Sequence, residues 1–190
     1  MTPRAHWEGR AWRKLSQSHF EYAAVEAALA VALGIDAKDQ KSAFRARLKH
    51  LARLGLPGIE VGKGSRVDYD YDLIGRMLVT LLLIEVGIEP NIAVTEIKRR
   101  ETEPYLMFWL RRATSADAIK DNPLILHVHP KLMEKRWDWG QKRGLLPQRI
   151  EIRPLGDTHE LPANTWWCQR NLTAAMAALE EALLPKGRAS

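Results

Sequence analysis

The segment from Lys38 to Arg53 constrains the fold of this chain more than any other. It reads KDQKSAFRARLKHLAR, without Pro or Gly, and Phe44, Leu48 and Leu51 repeat at the i, i+4, i+7 spacing of one helical face. Four cations form an adjoining stripe beside this seam, Lys38, Arg45, Lys49 and Arg53. The pattern predicts a surface helix that suits a polyanion, although a simply solvated helix would look the same.

Positive charge is concentrated around this helix. Residues 37–67 hold eight Lys and Arg against Asp39 and Glu60, which accounts for the whole formal net charge of +6. Charge gathered in one segment favours an anionic surface as partner.

Composition places the chain among globular proteins, with 46% hydrophobic and 27% charged residues in 190. The single Cys168 excludes an internal disulfide and a cysteine-cluster zinc site. The longest apolar run, Met77–Ile84, is too short to span a bilayer, and no signal peptide is recognisable. We therefore expect a cytoplasmic protein with no membrane partner.

A second helix is predicted just before the basic one, over Phe20 to Leu33, where Ala and Leu are dense. Gly34 is a natural terminator, and Gly34-Ile35-Asp36 leads directly into the basic helix. A helix, a short turn containing Gly and a basic helix are the arrangement of a helix-turn-helix, whose second helix enters the major groove.

The residues after Gly55 predict a β-hairpin. Pro57-Gly58 ends the basic helix, and alternating residues flank the Gly62–Ser65 turn. Lys63 stands at the tip and Arg66 at the base, so the hairpin resembles a wing that lies on phosphates, although it could also be incidental. Asp70 and Asp72 then begin a core helix that Gly87 closes, and Pro90 opens another through Asn91–Arg100.

The positions Gly55-Leu56-Pro57, Gly64, Arg66, Tyr69, Asp72-Leu73 and Gly87-Ile88 give residues 20–100 a family likeness. Their order resembles a MerR-type winged helix-turn-helix, in which a wing and further helices follow the helix-turn-helix. The resemblance implies binding of double-stranded DNA. By position it places Arg45, Arg47 and Lys49 in the major groove, and Lys63 with Arg66 on the phosphate backbone.

The second half predicts a small antiparallel sheet covered by a C-terminal amphipathic helix over Thr165–Leu184. Tyr105–Leu110, Leu124–Val128 and Arg149–Arg153 are the strand candidates, and Ser115 is expected to cap a short helix. The fold class is thus α+β, an N-terminal winged helix-turn-helix followed by this sheet and helix. The expected divisions are an arm at 1–19, the DNA-binding domain at 20–103 and a ligand-sensing or dimerisation region at 104–190.

Other polar and aromatic residues give weaker signals. His127 and His129 share a strand face and could bind a metal with His159 or Glu160, but ordinary surface or core histidines are the simpler interpretation. Trp137, Trp139, Trp166 and Trp167 could line a ligand pocket, or pack in the core or an interface. Glu180 and Glu181 are expected on a solvated helix face. No catalytic motif, cofactor site or metal site stands out, so an enzyme is not predicted.

The sequence therefore predicts a sequence-specific transcription regulator that binds duplex DNA as a homodimer. A small-molecule or protein effector is expected at the C-terminal half. The alternative is a protein-binding adaptor built on a winged-helix scaffold. The DNA-binding residues are the cations of the basic helix and the wing, namely Lys38, Lys41, Arg45, Arg47, Lys49, Arg53, Lys63 and Arg66.

Overall fold

The computed structural model of the chain describes residues 15, 18–36, 40–56, 67, 69–101, 104–120, 122–128, 150–155 and 168–184. Within those ranges it contains seven helices and three strands. The helices are α1 (Tyr22–Ala32), α2 (Lys41–Arg53), α3 (Tyr71–Glu85), α4 (Pro90–Glu101), α5 (Pro104–Ala113), α6 (Ala116–Lys120) and α7 (Leu172–Leu183). The strands are β1 (Leu124–Val128), β2 (Ile150–Pro154) and β3 (Cys168–Asn171).

The helix ends follow local sequence signals. Gly34, Gly55 and Gly87 all have positive φ, at 66°, 84° and 95°, and each follows the last residues of a helix as predicted. The side chain of Asp70 accepts a hydrogen bond from the Leu73 amide at 2.7 Å and caps the start of α3. Ser115 caps α6 in the same way, through the Ala118 amide.

Helix α3 is the central post of the core. Eleven of its fifteen residues are buried, so the helix is apolar on most sides, as predicted. Helix α4 packs beside it, with Val94 and Ile97 turned inward. Helix α1 lies against α7, near the opposite end of the chain, and one hydrophobic cluster contains residues of both.

The three strands form an antiparallel sheet in the order β2-β1-β3. The central strand β1 is buried along its whole length, with Leu126 opposite Ile152 of β2 and Arg170 of β3. Helix α7 packs on β1, and the Thr173 hydroxyl accepts a hydrogen bond from the Leu124 amide at 2.8 Å. The fold is therefore a set of helices with one small antiparallel sheet, in agreement with the α+β prediction.

Three sequence predictions in the second half were wrong. Tyr105–Leu110 belongs to the helix α5 and is not a strand. The segment 168–171 is a strand paired with β1, so the last helix starts at Leu172. Glu180 is buried at 5% exposure, while its neighbour Glu181 is exposed.

Several other predictions fall on positions outside the described residues. These are most of the 1–19 arm, the wing apart from Val67 and Tyr69, His129, His159, Glu160 and the four tryptophans between 137 and 167. Tyr69 forms an isolated antiparallel bridge with Phe20, whose amide donates to the Tyr69 carbonyl at 3.0 Å. In the described ranges, every helix is too short or too polar to cross a membrane.

Candidate nucleic-acid interface

Helix α2 lies on the protein surface and docks through a single apolar seam. Phe44, Leu48 and Leu51 are buried at 3%, 3% and 0% exposure. The other ten residues of this 13-residue helix are exposed. The prediction of a narrow docking face is confirmed, and most of the helix surface is open to a partner.

The outer face of α2 is the side directly opposite this seam. At about 100° per residue, Lys49 and Arg53 both fall on it, roughly one turn apart. Three other exposed residues share the face, Ser42, Ala46 and His50. The sequence-based prediction missed these three residues because it selected contact residues by their charge. Their spacing from the seam residues along the helix would have identified them.

Arg45 is engaged within the protein. Its Nε donates to Oε2 of Glu26 at 3.0 Å, and one of its Nη atoms donates to Oε1 at 2.9 Å. Glu26 lies on α1 and is only 5% exposed, whereas the Arg45 side chain is about half exposed at 48%. The hydrogen bond and the charge of Glu26 raise the pKa of Arg45. Burial and the same carboxylate raise the pKa of the neighbouring Tyr22.

Arg47 lies on the other flank of the helix, roughly 160° around the axis from Arg45. It lines a groove of about 600 Å³ between the α1–α2 turn, the end of α3 and strand β3. Across this groove Arg170 forms an ion pair with Glu85 at 3.5 Å. The structure therefore separates two cations that the sequence prediction placed together in the major groove.

The charged side chains of α2 are all basic. The helix contains no Asp or Glu, and four of its cations make no ion pair with any described residue, namely Lys41, Arg47, Lys49 and Arg53. The Lys98 side chain of α4 adds a further charge beside the end of the helix, because its Nζ lies next to Gly55. Such a concentration of cations attracts polyanions.

The eight predicted contact residues thus fall into distinct groups. Lys41, Arg45, Lys49 and Arg53 follow one another around the helix, while Arg47 lies on the opposite flank. Lys38, Lys63 and Arg66 lie outside the described residues. For the described part of the candidate interface, the sequence identified the helix, its seam and the stripe of Arg45, Lys49 and Arg53, but it grouped Arg47 with Arg45 although they lie on opposite flanks.

No protein-family model matches the chain, and no curated protein matches it in sequence.

Of the two histidines considered as possible metal ligands, His127 is the one that the structure describes. It lies on the buried strand β1 and is 8% exposed. Among the residues that the structure describes, no three His, Cys, Asp or Glu side chains come together in a way that could hold a metal ion.

Proposed function

We propose that the protein is a DNA-binding transcription regulator of the winged helix-turn-helix type, and that α2 is its recognition helix. The observation that carries this proposal is the combination of a three-residue docking seam with an acid-free, exposed and cationic surface on the remainder of α2. Gly34, with a positive φ of 66°, follows α1 in the connection to α2, and a Gly-containing turn between two helices is typical of a helix-turn-helix.

The outer face of α2 has the chemistry of a base-reading surface. Lys49 and Arg53 supply donors for guanine acceptors or phosphates, and Ser42 and His50 can hydrogen-bond to base edges. Ala46 lies among them and is small enough to allow close approach to the bases, including contact with a thymine methyl group. A helix of this kind fits the major groove with its seam turned away from the DNA.

The flanking cations suit the two phosphate backbones. Lys41 and Arg47 lie on opposite flanks of α2, each roughly 120° around the axis from the centre of the outer face. When the outer face enters a groove, long cationic side chains on the flanks would extend to the phosphates of the strands on either side. Lys38, Lys63 and Arg66 complete the proposed set of phosphate contacts, the last two through the wing.

The biological context of this function is also a proposal. We infer a homodimer, because a single small helix-turn-helix seldom holds a specific site alone. The expected location is cytoplasmic, on the nucleoid. Residues 104–190 would supply the dimer contacts or the effector site.

The proposal is tested by reversing charge on the outer face. We expect Lys49→Glu with Arg53→Glu to weaken binding to a fluorescent duplex by roughly 100-fold or more, because two attractive contacts become repulsive. The matched control is Lys120→Glu on α6, an exposed cation on another element. Equal affinity of the double variant and the wild type would refute the placement of the interface.

Selection of bound fragments from a pool of random duplexes would then test sequence specificity and symmetry together. An enriched inverted repeat supports a specific dimer, since the half-sites of a dimer mirror its two-fold axis. A pool that stays random after several rounds contradicts a sequence-specific regulator.

The adaptor alternative is favoured by exposed apolar side chains in the second half. Phe108 on α5 is 39% exposed and stacks edge-to-face with Trp109, and Ile119 on α6 is 52% exposed. An adaptor predicts no salt-dependent affinity for duplex DNA. The same binding assay at several salt concentrations therefore distinguishes the two functions.

A further inference from the structure

The contact between Arg45 and Glu26 has the geometry of a structural clamp. Two parallel hydrogen bonds, at 3.0 and 2.9 Å, join the guanidinium edge to both carboxylate oxygens. This paired arrangement fixes direction as well as distance, because a planar fork meets a planar carboxylate.

We propose that Arg45 is a positioning residue that fixes the orientation of α2 on α1 through Glu26, and that it is not itself a DNA contact. This inference rests on the proposed function, because it assigns Arg45 a role in presenting the recognition helix. It removes from the set of base contacts a residue that the family resemblance placed there.

The first support is that one of the two edges through which Arg45 could bind a base bidentately, the edge formed by Nε and one Nη, is already occupied. Recognition of guanine by Arg uses two adjacent N–H donors directed at O6 and N7. In this structure Nε and an Nη of Arg45 are bound to Glu26. Reading a base through that edge would require the pair to break and leave a carboxylate that is 5% exposed without its cation.

The second support is mechanical. A seam of three side chains on one line holds a helix against its neighbours but leaves it able to roll about its own axis. Arg45 lies roughly 90° around the helix from the centre of that seam, so its contact resists rolling. Glu26 is a firm anchor, since α1 is packed against both α7 and α3.

The two roles predict opposite effects for one substitution, Glu26→Gln, which keeps the size of the side chain. If Arg45 contacts DNA, removing the buried carboxylate frees a cation, and affinity should stay the same or increase. If Arg45 positions α2, the weakened pair lets the helix roll, and affinity should fall although a negative charge near DNA has been removed.

The experiment compares the full-length wild type, Glu26→Gln, Arg45→Gln and the double variant. Affinity for a fluorescent duplex of the selected sequence is measured at several salt concentrations, and amide hydrogen exchange in residues 41–53 is measured without DNA. Lys49→Gln is the comparison for a direct contact, for which the salt slope should fall by about one unit.

We expect Glu26→Gln and Arg45→Gln each to weaken binding by roughly tenfold. The double variant should be no worse than Arg45→Gln, since both substitutions break the same pair. The salt slope should be unchanged in all three, and exchange in α2 should accelerate in all three.

Two results would overturn the inference, and the second can be obtained whether or not DNA binding is found. One is unchanged or tighter DNA binding by Glu26→Gln. The other is unchanged hydrogen exchange in α2 of both single variants. Absence of DNA binding by the wild type overturns the proposed function instead, while faster exchange in that case still supports the positioning role of the pair.

Discussion

Glu180 is the buried carboxyl group that makes the fold sensitive to pH. It lies on α7 and accepts a hydrogen bond from the Tyr71 hydroxyl of α3 at 2.8 Å. Burial raises its pKa from 4.5 to about 7, and the hydrogen bond from Tyr71 only partly opposes that rise. The same burial raises the pKa of Tyr71, so the phenol stays protonated and remains the donor.

The raised pKa has a definite consequence for stability. Between pH 4.5 and about 7 the folded protein binds a proton at Glu180 that the unfolded chain has released. The contribution of Glu180 to the free energy of unfolding is therefore fully present below pH 4.5. It declines as pH rises through this window, by on the order of 2–3 kcal/mol.

Glu180→Gln should remove this pH dependence, because a neutral amide keeps the shape and can still accept from Tyr71. We expect the variant to gain stability relative to the wild type as pH rises from 4.5 to 7, measured by urea denaturation at a series of pH values. The exposed neighbour offers the matched control Glu181→Gln. A constant difference between Glu180→Gln and wild type across this range would contradict the assignment.

At the scale of single elements, the cap of α3 gives the clearest prediction. Asp70 satisfies the Leu73 amide at the start of the central helix. Asp70→Ala should lower the free energy of unfolding by about 1 kcal/mol, whereas Asp70→Ser, which can still accept this bond, should retain most of the stability. Chemical denaturation measures both, and equal losses in the two variants would show that the cap is not the cause.

The elements that the sequence could predict are those with local signals. Gly34, Gly55 and Gly87 mark helix ends because few other residues adopt positive φ at little cost. The alternation of residues in β2 and the apolar run of β1 were also sufficient to predict these two segments as strands. Tyr105–Leu110 was misassigned because a short aromatic run has no period that separates a strand from a helix.

Other features depend on partners distant in sequence. Strand β3 is the polar segment CQRN, and what makes it a strand is its pairing with β1. In the same way, no local pattern shows that Glu26 meets Arg45 or that Glu180 meets Tyr71, 109 residues away. The sequence therefore located the candidate interface on α2, while the assignment of its side chains needed the tertiary structure.

At the scale of the whole molecule, helices α1 and α7 share one core. Val25 and Leu29 of α1 are fully buried, as is Leu179 of α7, and the two helices pack together. Helix α7 is also linked to α3, by the hydrogen bond between Tyr71 and Glu180. The proposed recognition helix is thus mounted on an element, α1, whose buried face depends on the C-terminal end of the chain.

This arrangement predicts that residues 20–103, the DNA-binding domain expected from the sequence, do not fold as a separate unit. Without α7 the fragment would expose the apolar face of α1, and the free energy lost by exposing several large side chains is comparable with the whole stability of a small domain. We expect the full chain to unfold in one cooperative transition by circular dichroism, and the fragment to show none. The opposite result would be a fragment that unfolds cooperatively and binds the selected duplex as tightly as the full chain. That result would establish an independent domain, to whose stability α7 is not essential.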